Sequence, residues 1–458
     1  MTARSNPPAR RSVLLGLAAA GAAGAAGCTP GSSGGSGGGA QTTSSAPVST
    51  DIASLGEITL TVWDQNTDEG IDAATQQLNE RFSQQYPNVT IERVSRSFED
   101  LKTTLRLALS GDDAPDVVQA NQGYPDMGAF VEAGLLQPVG PWDASYGWQE
   151  RFPADLLSLN SFSEDGRTWR EGNLYGVSST GEIVGVYYNK GLLQQLGLSA
   201  PTTLEELAAS LPAIAAAGQL PIQYGDADKS PGIHLFGAVL AATAGGKAAA
   251  DLVSSAGGAW TDPDVVRAAS TLREWADAGY LPEGHNGIGE DEAVARFARG
   301  EGVHLFNGTW QLATLQQAMG DDVGFVALSG AGGTPETLGG VGLAWSITAG
   351  TANANAAAAY VDFVTDAAAS QVLVDTGNLP AVAPEGYQAP QGTLAGDIAA
   401  GWQAVSEGGG LVPYLDYATP TFYDTLTGAV QQLTGGQSTP EQFAQALQAD
   451  YESFQQDR

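Results

Sequence analysis

The chain has 458 residues, with 19 lysines and arginines against 51 aspartates and glutamates, a formal net charge of −32. An apolar content of 43% is ample for packed cores and excludes global disorder. The acidic balance argues against nucleic acid or any partner held mainly through phosphates. A single cysteine, Cys28, rules out an intrachain disulfide framework. Three scattered histidines, His234, His285 and His304, have no cysteine partners and argue against a zinc site, so neither a metal nor another cofactor is expected. The length predicts two or three domains.

Arg4, Arg10 and Arg11 precede Val13-Leu14-Leu15-Gly16-Leu17 and an Ala/Gly run ending at Gly27. A basic stretch followed by a short apolar core is a secretory signal, too short and glycine-rich for a membrane span. Arg10-Arg11-Ser12-Val13-Leu14 looks like a twin-arginine signal, although a Sec signal also carries paired arginines. Ala25-Ala26-Gly27-Cys28 resembles a bacterial lipobox, with Ala25 where leucine is usual. Cys28 is then the lipidated residue, and the rival is a secreted protein with a stray thiol. Residues 28–54, rich in Gly, Ser, Thr and Ala, predict a flexible tether. Its reach is on the order of 25–30 Å. An extracytoplasmic body, lipid-anchored to the outer face of the cell membrane, follows.

The body alternates strands and helices. Ile58-Thr59-Leu60-Thr61-Val62-Trp63 reads as a strand. Ala74, Leu78, Phe82 and Tyr86 mark one face of a helix that Pro87 stops. Val89–Val94 is a second strand, Leu101, Leu105 and Leu109 a second helical stripe, and Asp116–Ala120 a third strand. This order implies right-handed crossovers and a parallel sheet, with ligands beyond the carboxyl ends of its strands. Further strands are predicted at Ile183–Tyr188, Val303–Phe306 and Leu343–Thr348, with a turn at Asn307–Trp310. Thr203-Leu204-Glu205-Glu206 is a capping box. Val266, Ala269, Leu272 and Ala276 line a helix with Gly279 as its C′ residue. Thr439-Pro440-Glu441-Gln442 starts the last helix.

Four segments in this order carry a family resemblance: Gly111-Asp112-Asp113-Ala114-Pro115-Asp116-Val117-Val118; Glu182–Lys190, ending Tyr-Asn-Lys; Phe297-Ala298-Arg299-Gly300-Glu301 through Gly308-Thr309-Trp310; and Gly340-Val341-Gly342 before a strand. From Ile58 to the C-terminus the chain resembles the extracellular solute-binding proteins of carbohydrate ABC transporters, family 1, the maltose-binding type. The resemblance implies an α/β, two-lobed periplasmic-binding-protein-like fold with hinge strands. It divides the body into lobe 1, 55–182 with 343–378, and lobe 2, 183–342 with 379–458. It also implies a monomer that binds a mono- or oligosaccharide in the interlobe cleft, closes on it without chemistry, and delivers it to ABC transporter permease subunits.

A sugar presents hydroxyls and an apolar face, so it calls for carboxylates, amides and an aromatic plane. The resemblance places such groups as follows. Asp64, Gln65 and Asn66 follow the first strand, where the rival role is a turn with a side-chain cap. Asn121, Gln122 and Tyr124 follow the third, with helix capping the alternative for Asn121. Glu182 is a ligand carboxylate or a solvated loop acid. Trp310 matches a stacking tryptophan, or is core. Gly340 and Gly342 admit a ligand or allow the hinge turn. Tyr414, Asp416, Phe422 and Tyr423 form a second aromatic segment. Phe422 stands where the family has tryptophan, so it either stacks on sugar or packs in the core.

Three rivals remain. A tethered glycoside hydrolase lacks a Gly-x-Ser-x-Gly elbow or His-Glu-x-x-His motif to support it. The same fold can bind another small solute (a polyol, a glycerophosphodiester or an amino-sugar), although no Arg or Lys stands among the site positions for an anion. The third is an adhesion or scaffold lipoprotein.

Overall fold

The computed structural model describes residues 47–457 apart from 112, 331 and 332. The leader, Cys28 and most of the predicted tether lie outside the described residues. The folded body starts earlier than composition implies. Ser49 donates its N–H to Asn355 Oδ1, and Ile52, on the short helix Ile52–Leu55, is buried. Among the described residues, no helix is long and apolar enough to cross a membrane.

The first sheet begins with β1, Ile58–Asp64, whose alternate residues Leu60, Val62 and Asp64 are buried. Helix α1, Glu69–Gln85, buries the predicted Ala74, Leu78 and Phe82, and Tyr86 closes its end by donating to the Phe82 carbonyl. Strand β2, Val89–Ser95, runs parallel to β1. Helix α2, Phe98–Leu109, is capped by Ser97 Oγ and buries Leu101, Leu105 and Leu109. Strand β3, Val117–Ala120, is parallel to β1 on its other side. These parallel strands end together at Asp64, Ser95 and Ala120. The sheet continues antiparallel through Ala344–Thr348 to Leu136–Gln137, giving the order β2–β1–β3, 344–348, 136–137.

The second sheet is built on the long strand Gly181–Asn189. One side of it pairs with His304–Gly308, and the other pairs in turn with Thr337–Val341 and Val323–Val326, all antiparallel. The predicted turn after His304–Gly308 is a single helical turn, Thr309–Gln311. The capping box of helix Leu204–Ala216 is half as drawn: Thr203 Oγ1 accepts from Glu206 N–H, but the Glu206 carboxylate reaches back to Thr202. Helix Pro263–Asp277 ends with Gly279 at φ +71°, as predicted, but its buried face runs through Val265, Ala268 and Trp275, so Val266 and Ala276 lie at its margin. Helix Pro440–Asp457 starts on a reciprocal cap between Thr439 and Gln442.

Three segments linking the two sheets lie side by side. Gly181 donates to Leu379 O, Ala381 to Ser179 O, and Gly342 to Thr180 O, at 2.9, 2.9 and 3.0 Å.

Candidate functional site

Where the strands of the first sheet end, a cavity of about 270 Å³ opens toward elements of the second. The first sheet contributes Gln65–Asp68 after β1, Ser97–Glu99 after β2, and Gln119 and Asn121 at the end of β3. The opposite wall comes from Asp228, Ser230, Ile233 and His234, from Glu290 and Asp291, and from Thr309–Gln311. The linking segments supply Ser179–Glu182 and Leu379, and the C-terminal region supplies Tyr414, Asp416, Tyr417 and Tyr423. The parallel crossovers dictate the first contribution, because they deliver each post-strand loop to one edge.

An aromatic wall runs along one side. The rings of Trp310 and His234 lie 5.0 Å apart, those of His234 and Tyr414 5.8 Å, and those of Tyr414 and Tyr417 5.7 Å. Trp310 Nε1 donates to Glu290 Oε1 at 3.3 Å. The indole folds over its own strand end, so that a Cβ on Gly308 would lie 1.8 Å from the ring. The Gly-Thr-Trp spacing is therefore a steric requirement. His234 is held neutral, its pKa pushed down to about 3 by burial.

Seven carboxylates share the cavity with no lysine or arginine among its described lining residues: Asp68, Glu99, Glu182, Asp228, Glu290, Asp291 and Asp416. Burial pushes Glu182, Glu290 and Asp416 each up to about 7, and Asp68 to about 6. Hydrogen bonds from Tyr414 and Thr180 counter the effect at Glu182, and Lys102 counters it at Asp416. Asp291 adds to it at Asp68 across the cleft. Tyr423 OH donates to Glu99 Oε1 at 2.5 Å, bridging the two walls.

The cavity wall includes the predicted residues Gln65, Asn66, Asn121, Glu182, Trp310, Tyr414 and Asp416. Asn66 and Asn121 carry structural bonds as well. Asn66 bonds Thr75 and Gln119, and Asn121 donates to Asp126 and accepts from Tyr417.

Five predicted residues stand elsewhere. Asp64 is fully buried under a fork to Arg93 at 2.6 and 2.9 Å and accepts from Asn66 N–H, which makes it the turn cap. Gln122 spends its amide on Asn160 and the Gly342 carbonyl and accepts from Tyr417 OH. The Tyr124 ring packs on Phe162 and Phe454. Gly340, at φ +150°, lies within the strand Thr337–Val341 opposite Glu182, where a Cβ would press on Leu159. Phe422 is core against Trp260, 4.5 Å between ring centroids, while the next residue, Tyr423, faces the cavity.

The residues not anticipated include Glu99, which the carboxyl-edge rule applied to β2 would have found. His234 and Glu290 carry no local signal, since only the tertiary fold brings them to Trp310.

The sequence pattern of the family described as bacterial extracellular solute-binding protein matches residues 77–400. The multiple sugar-binding protein of Streptococcus mutans is 25% identical over 329 residues, 69% of this chain and 73% of that protein. The lactose-binding protein of Rhizobium radiobacter is 25% identical over 179 residues, 37% of each chain. Among solved structures, a chitin oligosaccharide binding protein aligns with a TM-score of 0.76 and 22% identity, over 87% of this chain and 99% of that one. A Streptomyces glaucescens receptor, solved unliganded and with acarbose, aligns with a TM-score of 0.69 and 20% identity, over 88% and 99%. At these identities the structural likeness is one of fold, the two-lobed α/β arrangement.

Proposed function

Because the chain belongs to the bacterial extracellular solute-binding protein family, we propose that it is the substrate-binding component of an ABC importer, taking a mono- or oligosaccharide into the cavity between its sheets. The observation that carries this is the conjunction of an aromatic wall, Trp310 to Tyr417, with carboxylates and the amide of Gln65 around one cavity. The rings offer flat apolar area to the C–H face of a sugar, and the polar groups accept from and donate to its hydroxyls. The sugar-binding names of the relatives point the same way.

The lobes run 55–182 with 343–378 and 183–342 with 379–458, and the hydrogen-bonded linking segments are the hinge. A ligand touching Gln65 on one wall and Trp310 on the other favours the closed arrangement, because only there does it make both sets of contacts. The closed monomer is presented to the permease. The basic leader and Cys28 place it outside the cytoplasm on a lipid anchor. The ligand is bound without chemical change.

A thermal-shift screen of mono- and oligosaccharides tests this. A ligand at 100 times its Kd stabilises by about 2.7 kcal/mol. Absence of a shift with every saccharide, alongside a shift with a non-carbohydrate solute, would reject it.

A further inference from the structure

The carboxylates exceed what an uncharged sugar needs. A few carboxylates suffice to accept from hydroxyls, whereas seven around one cavity, with no lysine or arginine in its described lining, leave buried charge that favours a cationic partner. The nearby cations meet that need only in part. Lys102, paired with Asp126 at 2.5 Å and lying over the Tyr423 ring, eases Asp416 and Glu99, and Lys229 eases Glu99 from outside the wall. Asp416 still stands at about 7, and no cation among the described residues acts on Glu182 or Glu290. A metal does not fit either, since no three acidic or histidine side chains converge closely enough to hold one among the described residues.

Asp416 sharpens the point. It faces the cavity, is only 4% exposed, and takes no side-chain hydrogen bond from another described residue. Two residues away stands Tyr414, whose hydroxyl donates to Glu182 at 3.4 Å and which feels the charges of Glu182, Asp416 and Glu290 together. Aromatic faces beside carboxylates are the surroundings that hold an organic ammonium.

We propose that the saccharide this cleft accepts carries a protonated amine, seated between Asp416 and Glu182 against the rings of Tyr414 and Trp310. This rests on the carbohydrate function above and narrows its substrate class to amino-sugars and amino-cyclitol saccharides. Because burial already holds Glu182 and Asp416 near neutrality, the arriving ammonium displaces protons, and the heat of binding at pH 7 depends on the ionisation enthalpy of the buffer.

The test is calorimetric titration of the whole chain with pairs sharing a skeleton: free diamino cellobiose against cellobiose, and against its di-N-acetylamino counterpart. The amine-bearing member should bind at least about tenfold more tightly than its uncharged partner, with the gap shrinking as salt rises. In Asp416→Asn and in Glu182→Gln, each verified by its unliganded melt, the preference should fall while the uncharged partner is less affected. Equal affinities within a pair, or tighter binding of the uncharged member, overturn this proposal alone. Binding of no saccharide in the panel overturns the carbohydrate function with it.

Discussion

Asp416→Asn keeps the shape of the side chain and removes its charge, so it isolates what that buried charge does to the unliganded protein. Burial raises the carboxyl from 3.8 to about 7, net of the help from Lys102. The sign follows from linkage: the folded state holds the proton more tightly than the unfolded chain, so stability is lost as pH rises from about 4 to about 7. The loss is complete above that window and amounts to about 4 kcal/mol, three pKa units at about 1.4 kcal/mol each. Little discount for solvent applies, since the side chain is 4% exposed. Asparagine carries no such penalty. At pH 8 the variant should melt higher than the parent by on the order of 5 °C for a body of this size, and at pH 4 the two should coincide. Scanning calorimetry of the unliganded chain at several pH values reads this directly. A variant that melts lower at pH 8, or an offset that does not change with pH, would refute the assignment of a penalised charge at this position.

Trp310→Ala should weaken a bound saccharide by about tenfold to a hundredfold while leaving the unliganded melt close to the parent's, measured by titration calorimetry. Gly308→Ala should mimic it, because the added methyl occupies space the indole needs; an unchanged affinity would show that the ring does not have to lie where it does. Arg93→Met strands the buried Asp64 carboxylate and should cost about 3–5 kcal/mol in denaturant unfolding. Phe422→Ala should destabilise by about 3–5 kcal/mol through a core void. Tyr423→Phe, its neighbour, should instead release Glu99 and alter ligand affinity with little change in stability.

The first sheet and the edge that lines the cavity were legible in the sequence, because β-branched runs, helical stripes and Pro87 punctuate it locally and parallel crossovers leave one place for the loops. That reasoning reaches Gln65, Asn66 and Asn121. It misassigns Asp64 because the deciding contact comes from strand register: Arg93, two residues before the partner Ser95, lies on the same face and reaches it diagonally. Phe422 and Tyr423 differ by one step of helical rotation at a helix start, a distinction below what pattern fixes for a boundary. Glu290 and His234 converge on Trp310 from distant elements, and no spacing in the chain announces such a meeting. The charge of the cavity was equally hidden, since 51 acids spread along the chain give no sign of which seven face one space.

The central claim is that this cavity holds a saccharide and leaves it intact. Titration of the purified chain with the best saccharide from the screen, followed by mass spectrometry of the recovered ligand, tests it most directly. One equivalent bound, recovered unchanged, and binding lost in Trp310→Ala is the predicted result. A cleaved ligand, or an alanine variant that binds as tightly as the parent, would contradict it.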